Sequence, residues 1–193
     1  MISSQIHKAV EVLKNGGIVI FPTDTAFGIG CRIDDEKSIE RLFKIRRRPE
    51  SQAVPVLVSS LEMASEYVQN IPSEVQEKLI KKYWPGALTI VLQSKVDKVP
   101  GLVRGGGNTL GVRMPDHKTT LSIIEGLGVP LLGPSANFHG DPTPYEFQSL
   151  SPELVKLVDF VVHGQTSTGK VSTVIDVTQK SWEVLREGAI KLT

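Results

Sequence analysis

The side chains capable of chemistry fall in a few short stretches of this chain. Arg46-Arg47-Arg48 follows a helical pattern, Arg113 closes Leu110-Gly111-Val112, and Arg186 closes Trp182-Glu183-Val184-Leu185. A guanidinium is planar, permanently charged and able to pair with phosphate or carboxylate through two parallel hydrogen bonds, so arginines delivered to several strand ends would converge on an anion. A basic run is equally often a solvated face. Ser135 and Asn137 end an apolar run inside PLLGPSANFHGDPTP, residues 130–144. Proline removes a donor and holds φ, and glycine permits turns that other residues resist. That stretch reads either as a strand end presenting a hydroxyl and an amide on a stiff loop, or as a turn-rich connection capped by Ser and Asn.

Three other chemistries fit poorly. Histidines 7, 117, 139 and 163 show no metal-ligand spacing among themselves or with Cys31, so no metal site is expected. No G-x-S-x-G elbow marks a nucleophilic serine. Gly164-Gln-Thr-Ser-Thr-Gly-Lys170 matches G-x-x-x-x-G-K, but Val171 stands where a P-loop needs Ser or Thr, and the following STVIDV is strand-like. A flexible loop near a site is the better reading of it.

The elements that must position these residues alternate. Ser3 or Ser4 can cap a helix with Ile6, Ala9, Val10 and Leu13 inward, ended by Gly16-Gly17. Ile18–Phe21 reads as a buried strand broken by Pro22, and Asp34 or Asp35 can cap a second helix with Ile39, Leu42 and Phe43 inward. A strand over Val54–Val58 precedes helices near Leu61–Tyr67 and Ser73–Tyr83. Leu88–Leu92 and Leu110–Arg113 read as strands, followed by a helix near Thr119–Gly126 and the strand that leads to Ser135. Pro152–Val158 looks helical and Phe160–Val162 extended, while Thr173–Val177 and Trp182–Arg186 form a closing pair of strands. The expectation is an α/β fold in one domain over residues 1–193, a large twisted mixed sheet flanked by helices.

Composition limits the partners. With 22 basic and 21 acidic residues there is no global polybasic signal for nucleic acid or membrane. The single cysteine excludes an internal disulfide, the N-terminal stretch is amphipathic rather than a signal peptide, and no apolar run spans a bilayer. A cytoplasmic protein is expected.

Taken together, seven blocks resemble the YrdC-type (TsaC-type) threonylcarbamoyl-AMP synthases. They are FPTDTAFGIG (21–30), RRRPESQAVPVLV (46–58), WPGALTIVL (84–92), TLGVRMPDH (109–117), PLLGPSANFHGDPTP (130–144), STVIDV (172–177) and LREGAI (185–190). The resemblance implies a short, single-domain YrdC-like form with a deep, positively charged groove. It implies conversion of L-threonine, bicarbonate and ATP to threonylcarbamoyl-AMP and pyrophosphate, with magnesium carried in by ATP. Downstream transferase proteins would place the threonylcarbamoyl group on an adenosine beside the anticodon of certain tRNAs.

Carried over position by position, the resemblance implies that Thr25, Arg113, Gly133 and Ser172 contact L-threonine. Arg48, Gln52, Thr109, Ser135, Thr143 and Arg186 would contact ATP, and Arg46, Arg48, Ser135 and Asn137 would form the catalytic set. The chain departs from the family pattern in places. Arg46 replaces a lysine, Phe27 stands where tyrosine is common, His139 where serine is common, and Leu57 where some members place a substrate-contacting histidine. Two other readings compete: a module that holds structured RNA in a basic groove, which would leave weak tRNA or RNA binding, and a carbamoyl-adenylate enzyme of the HypF type.

Overall fold

The computed structural model describes residues 2–193. In chain order it contains α1 (Ile2–Lys14), β1 (Val19–Pro22), β2 (Phe27–Gly30), α2 (Glu36–Arg46), β3 (Val56–Leu57) and α3 (Leu61–Tyr67). A helical run follows, made of α4 (Ser73–Val75), a π-helical turn over Gln76–Ile80 and α5 (Lys81–Tyr83). Next come β4 (Leu88–Gln93), β5 (Thr109–Arg113), α6 (Lys118–Leu127), β6 (Leu131–Leu132), a 3-10 turn at Phe147–Ser149 and α7 (Pro152–Val155). The last strands are β7 (Phe160–Val161), β8 (Thr173–Asp176) and β9 (Glu183–Arg186).

The local signals operate much as their chemistry demands. Ala9 and Leu13 of α1 are fully buried, and Gly16 leaves the helix at φ +78°. Because α1 already contains Ser3 and Ser4, neither residue precedes it as a cap. Asp35 caps α2, its carboxylate accepting from the Ser38 N–H at 3.1 Å. Pro22 does not break the first strand but ends it within the ladder, paired with Phe27. β2 was not expected, since two of its four residues are glycines, which disfavour strands.

The molecule is α/β, with mixed sheets flanked by helices. Strands β6-β3-β5-β4-β8-β9 form one sheet and β2-β1-β7 a second. The two meet where β2 runs beside β6, through bridges Gly28–Ser135 and Arg32–Leu131. Ile29 N–H donates to Pro134 O and Ile33 N–H to Pro130 O. Ala136 N–H and Leu132 N–H return bonds to Phe27 O and Cys31 O, so the seam consists of two isolated two-bond bridges and not a continuous ladder. A Cβ on Gly30 would lie 1.8 Å from the Leu132 carbonyl oxygen, which makes glycine obligatory at this close approach. β4 and β5 pair antiparallel, β4 and β8 parallel, and β8 and β9 antiparallel as the sequence suggested.

Apolar side chains divide into two packed clusters. One gathers around Ile20, Ile29, Ile39, Val56, Ile90 and Val112, the other around Ala9, Leu13, Phe21, Leu57, Ile123 and Leu131. No helix among the described residues is long and apolar enough to cross a membrane.

Candidate active site

Strand register brings distant blocks to one place. Leu57 of β3 lies opposite Arg113, the last residue of β5. Leu88 pairs with Thr173, so Thr89 and Ser172 meet at the starts of β4 and β8, and Arg186 at the end of β9 lies opposite Val174. The turn between β1 and β2 closes over these ends. Thr23 locks that turn: its Oγ1 accepts the N–H groups of Thr25 (3.1 Å) and Ala26 (3.2 Å) and donates to Ala26 O at 2.7 Å.

The result is a cavity of about 160 Å³. Of the residues expected to bind, Thr25, Arg113, Gly133 and Ser172 line it, together with Arg46, Arg48, Ser135, Thr143 and Arg186. Four arginines and no aspartate or glutamate stand in its wall. The walls also include Thr23, Leu57 and Thr89. Leu57 is buried and presses on Gly133, where an added Cβ would lie 2.5 Å from its Cγ.

Three consecutive arginines meet three different fates because of one backbone angle. Arg47 adopts φ 54°, and the N–H groups of Arg47 and Arg48 donate to Lys44 O and Phe43 O, closing α2 with a left-handed turn. Arg47 points outward, with its guanidinium 4.2 Å over the Phe138 ring and 2.7 Å from Glu153. Arg46 is buried; its Nε donates to Asn137 O at 3.1 Å, while its Nη1 has no partner among the described residues. Burial, with Arg48's charge behind it, lowers the Arg46 pKa to about 10. Arg48 returns to the cavity, its Nε and Nη2 donating to Gln52 O and Ala53 O at 3.0 and 2.6 Å.

Arg113 is bound from three sides. Its Nε donates to Gly86 O at 2.9 Å, its Nη1 to Thr25 Oγ1 at 2.8 Å, and its Nη2 to the buried Asp24 carboxylate. Burial pulls its pKa down while Asp24 opposes the shift. Of five N–H donors, three are thereby engaged. Arg186 donates from Nε to Ser172 O and from Nη2 to Ser172 Oγ, each at 3.0 Å. Ser135 Oγ makes no hydrogen bond among the described residues.

Three expected residues stand outside the cavity wall. Asn137 turns its Nδ2 to Phe138 O (3.0 Å) and Asp141 O (2.8 Å), bracing the loop behind Arg46. Gln52 is exposed, with its carbonyl on Arg48. Thr109 begins β5 on the strand face shared with Gly111 and Arg113, at the opposite end of the strand from Arg113. Conversely, Asp24 and Thr89 were passed over in the sequence. Both are buried, at 5% and 3% exposure, and no local pattern in the sequence marks either of them.

The loop from Gly164 to Lys170 leads into β8 and not a helix, so its phosphate-loop spelling lacks the helix terminus that would hold phosphate. Instead it packs on the turn: Ser167 N–H, Thr168 N–H and Ser167 Oγ all donate to Asp24 O. Beyond Arg48 an open groove of about 780 Å³ runs between α2 and residues 101–106, with Glu40 and Glu50 in its wall. It is larger, but it lacks the buried polar groups of the inner cavity.

Comparison with known proteins identifies relatives of this fold. Residues 11–188 match the Sua5/YciO/YrdC family model, described as "Telomere recombination". A threonylcarbamoyl-AMP synthase of Pyrococcus abyssi is 35% identical over 97% of this chain and 55% of its own length. The crystal structure of P. abyssi Sua5 complexed with L-threonine superposes with a TM-score of 0.88 at 34% identity, covering 95% of this chain and 54% of that one. The chain thus spans about half the length of that relative. Escherichia coli YciO, an uncharacterised protein, is 31% identical over 95% of this chain and 88% of its own length, and its crystal structure gives a TM-score of 0.84. With its blocks gathered on one cavity and the family model spanning nearly all of it, the chain belongs to the Sua5/YciO/YrdC family.

Proposed function

We propose that this protein is a threonylcarbamoyl-AMP synthase, joining L-threonine, bicarbonate and ATP into threonylcarbamoyl-AMP with release of pyrophosphate. The observation that carries the reading is a buried guanidinium, Arg46, with an unpartnered Nη1 at a cavity walled by three more arginines. A buried cation without a counter-charge is costly, and the low dielectric that makes it so strengthens its attraction for an arriving anion.

Size divides the site. Drug-sized ligands occupy about 300–1,000 Å³, so a 160 Å³ cavity suits the amino acid, and the nucleotide lies across the open side. Arg113, Thr25, Ser172 and Gly133 hold threonine, with two unengaged N–H groups of Arg113 available to its carboxylate. Arg46, Arg48 and Arg186 take the triphosphate, Ser135 donates its free hydroxyl, and Thr143, Gln52 and Thr109 lie along the nucleotide's path. Asn137 acts through Arg46, whose Nε it anchors.

Threonine's amine adds to CO2 formed from bicarbonate. A carbamate oxygen then attacks the α-phosphorus in line, and pyrophosphate leaves from the opposite side. Such chemistry is catalysed chiefly by positioning and charge stabilisation, which arginines and hydroxyls supply without a covalent intermediate. Magnesium would arrive on the triphosphate and offset its charge. In the cytoplasm the labile product would pass to transferase proteins acting on tRNA.

Mass analysis of products from labelled bicarbonate, threonine and ATP tests the reading. The expected product carries both labels and appears with stoichiometric pyrophosphate. Pyrophosphate release that is unchanged when threonine and bicarbonate are omitted would show a nucleotide hydrolase instead. RNA binding that survives saturating ATP plus threonine would favour the RNA-module reading.

A further inference from the structure

Thr89 shares the cavity wall with Ser172, and the two hydroxyls lie 2.9 Å apart. Arg186 Nη2 donates to the same Ser172 Oγ, and its Nε holds the Ser172 carbonyl. Thr89 Oγ1 has no other hydrogen-bond partner among the described residues. Each hydroxyl brings one proton and two lone pairs. The pair therefore holds two protons and makes one mutual hydrogen bond. One O–H is left over, and with no protein acceptor for it, its outlet is the cavity.

Charge decides which way the pair faces. Arg186 occupies one lone pair of Ser172; if Thr89 donates to the other, that oxygen is full and the serine's proton is free to donate. If Ser172 donates instead, the spare proton belongs to Thr89. The first arrangement is the one in which Thr89 acts through Ser172: it leaves the serine's proton to donate to a ligand oxygen beside Arg113 and Arg186, a place where an anionic oxygen is favoured.

We infer that Thr89 is a positioning residue that, with Arg186, holds Ser172 so that the hydroxyl pair donates one hydrogen bond to the carboxylate of the bound amino acid. The inference rests on the proposed function. It has a consequence for selectivity between the substrates: losing Thr89 weakens threonine binding while leaving ATP nearly unaffected.

The test measures L-threonine affinity by calorimetric titration, and KM and kcat by pyrophosphate release. Four variants enter: T89V, T89S, S172A and the T89V/S172A double. T89V is expected to raise the threonine Kd and KM about three- to tenfold, as for losing the neutral hydrogen bond that orients Ser172. KM for ATP should move by less than about twofold. T89S, which keeps the hydroxyl, restores threonine affinity. The double variant is no weaker than S172A alone, since Thr89 acts through Ser172. Thermal melts accompany each variant, and T89A replaces T89V should valine unfold the protein.

Wild-type affinity in T89V, failure of T89S to restore it, or additive losses in the double variant would each overturn the inference. If the wild type binds threonine and T89V matches it, the inference alone is lost. If the wild type binds no threonine, the proposed function falls and the inference with it.

Discussion

The two most deeply buried arginines of the cavity are treated in opposite ways. Arg113 is 6% exposed and Arg46 3% exposed, so solvent screening does not separate them. Arg113 meets a carboxylate, a hydroxyl and a carbonyl; Arg46 meets one carbonyl, with Nη1 unpartnered. At the β5 end the protein itself completes the charge. At the α2 end no carboxylate among the described residues completes it. Arginines with and without a counter-charge from the protein can thus share one cavity, and hydrogen-bond partners tell them apart where burial does not.

Substitution at Arg113 gives the largest expected effect. Arg113→Met strands the buried Asp24 carboxylate, and breaking such a pair costs about 3–5 kcal/mol. At about 2–4 °C per kcal/mol for a chain of this size, the thermal midpoint should fall by roughly 6–20 °C. A drop of less than about 2 °C in calorimetry would mean that the pair does not hold the turn.

Arg46→Met sharpens the contrast because its two readouts diverge. Replacing an unpartnered buried charge with an apolar chain leaves the melting midpoint unchanged or higher. Pyrophosphate release should nevertheless fall roughly ten- to a hundredfold, as expected for losing a charge-assisted contact of about 1.5–3 kcal/mol. Arg48→Ala belongs in the same activity range. Were Arg46→Met to destabilise the protein as much as Arg113→Met, the distinction between the two ends would collapse.

Ser135→Ala removes a hydroxyl without a protein partner, so stability should hold within about 0.5 kcal/mol. Its cost in pyrophosphate release is about three- to tenfold. Lys170→Ala, on the exposed loop, should change turnover by less than about fivefold. A dead Lys170→Ala enzyme beside a normal Arg48→Ala would move the phosphates to the 164–170 loop.

The smallest effect is a pH dependence at His117, which lies 3.2 Å from Gln165 O on that loop. Burial lowers its pKa, with the Gln165 carbonyl opposing, so the folded value lies below the unfolded one of about 6.5. The neutral ring is the native form. The stability it provides is complete above about pH 6.5 and lost as pH falls through the lower folded value. Between neutral and mildly acidic pH, the wild-type melting midpoint should decline slightly more than that of His117→Gln. Equal declines would assign the acid sensitivity elsewhere.

Local spacing was enough to place α1, its end at Gly16-Gly17, a cap at Asp34 or Asp35 and the antiparallel closing strands, because periodicity, capping and turn chemistry act over a few residues; the structure makes Asp35 the cap. The quoted blocks were enough to name the chemistry available, since residue type alone sets charge and hydrogen-bonding capacity. β2 stayed hidden because Gly30 serves a close approach to β6, a contact made more than a hundred residues away along the chain, and Gly28 makes room for the Phe21 ring of β1. Asp24 and Thr89 were equally silent, for their partners Arg113 and Ser172 reach them only through strand register. In Arg46-Arg47-Arg48 the sequence determined three positive charges. A left-handed turn at Arg47 decided that the outer two face the cavity and the middle one faces solvent, since a chain reversal, unlike a charge, is settled by what the backbone packs against.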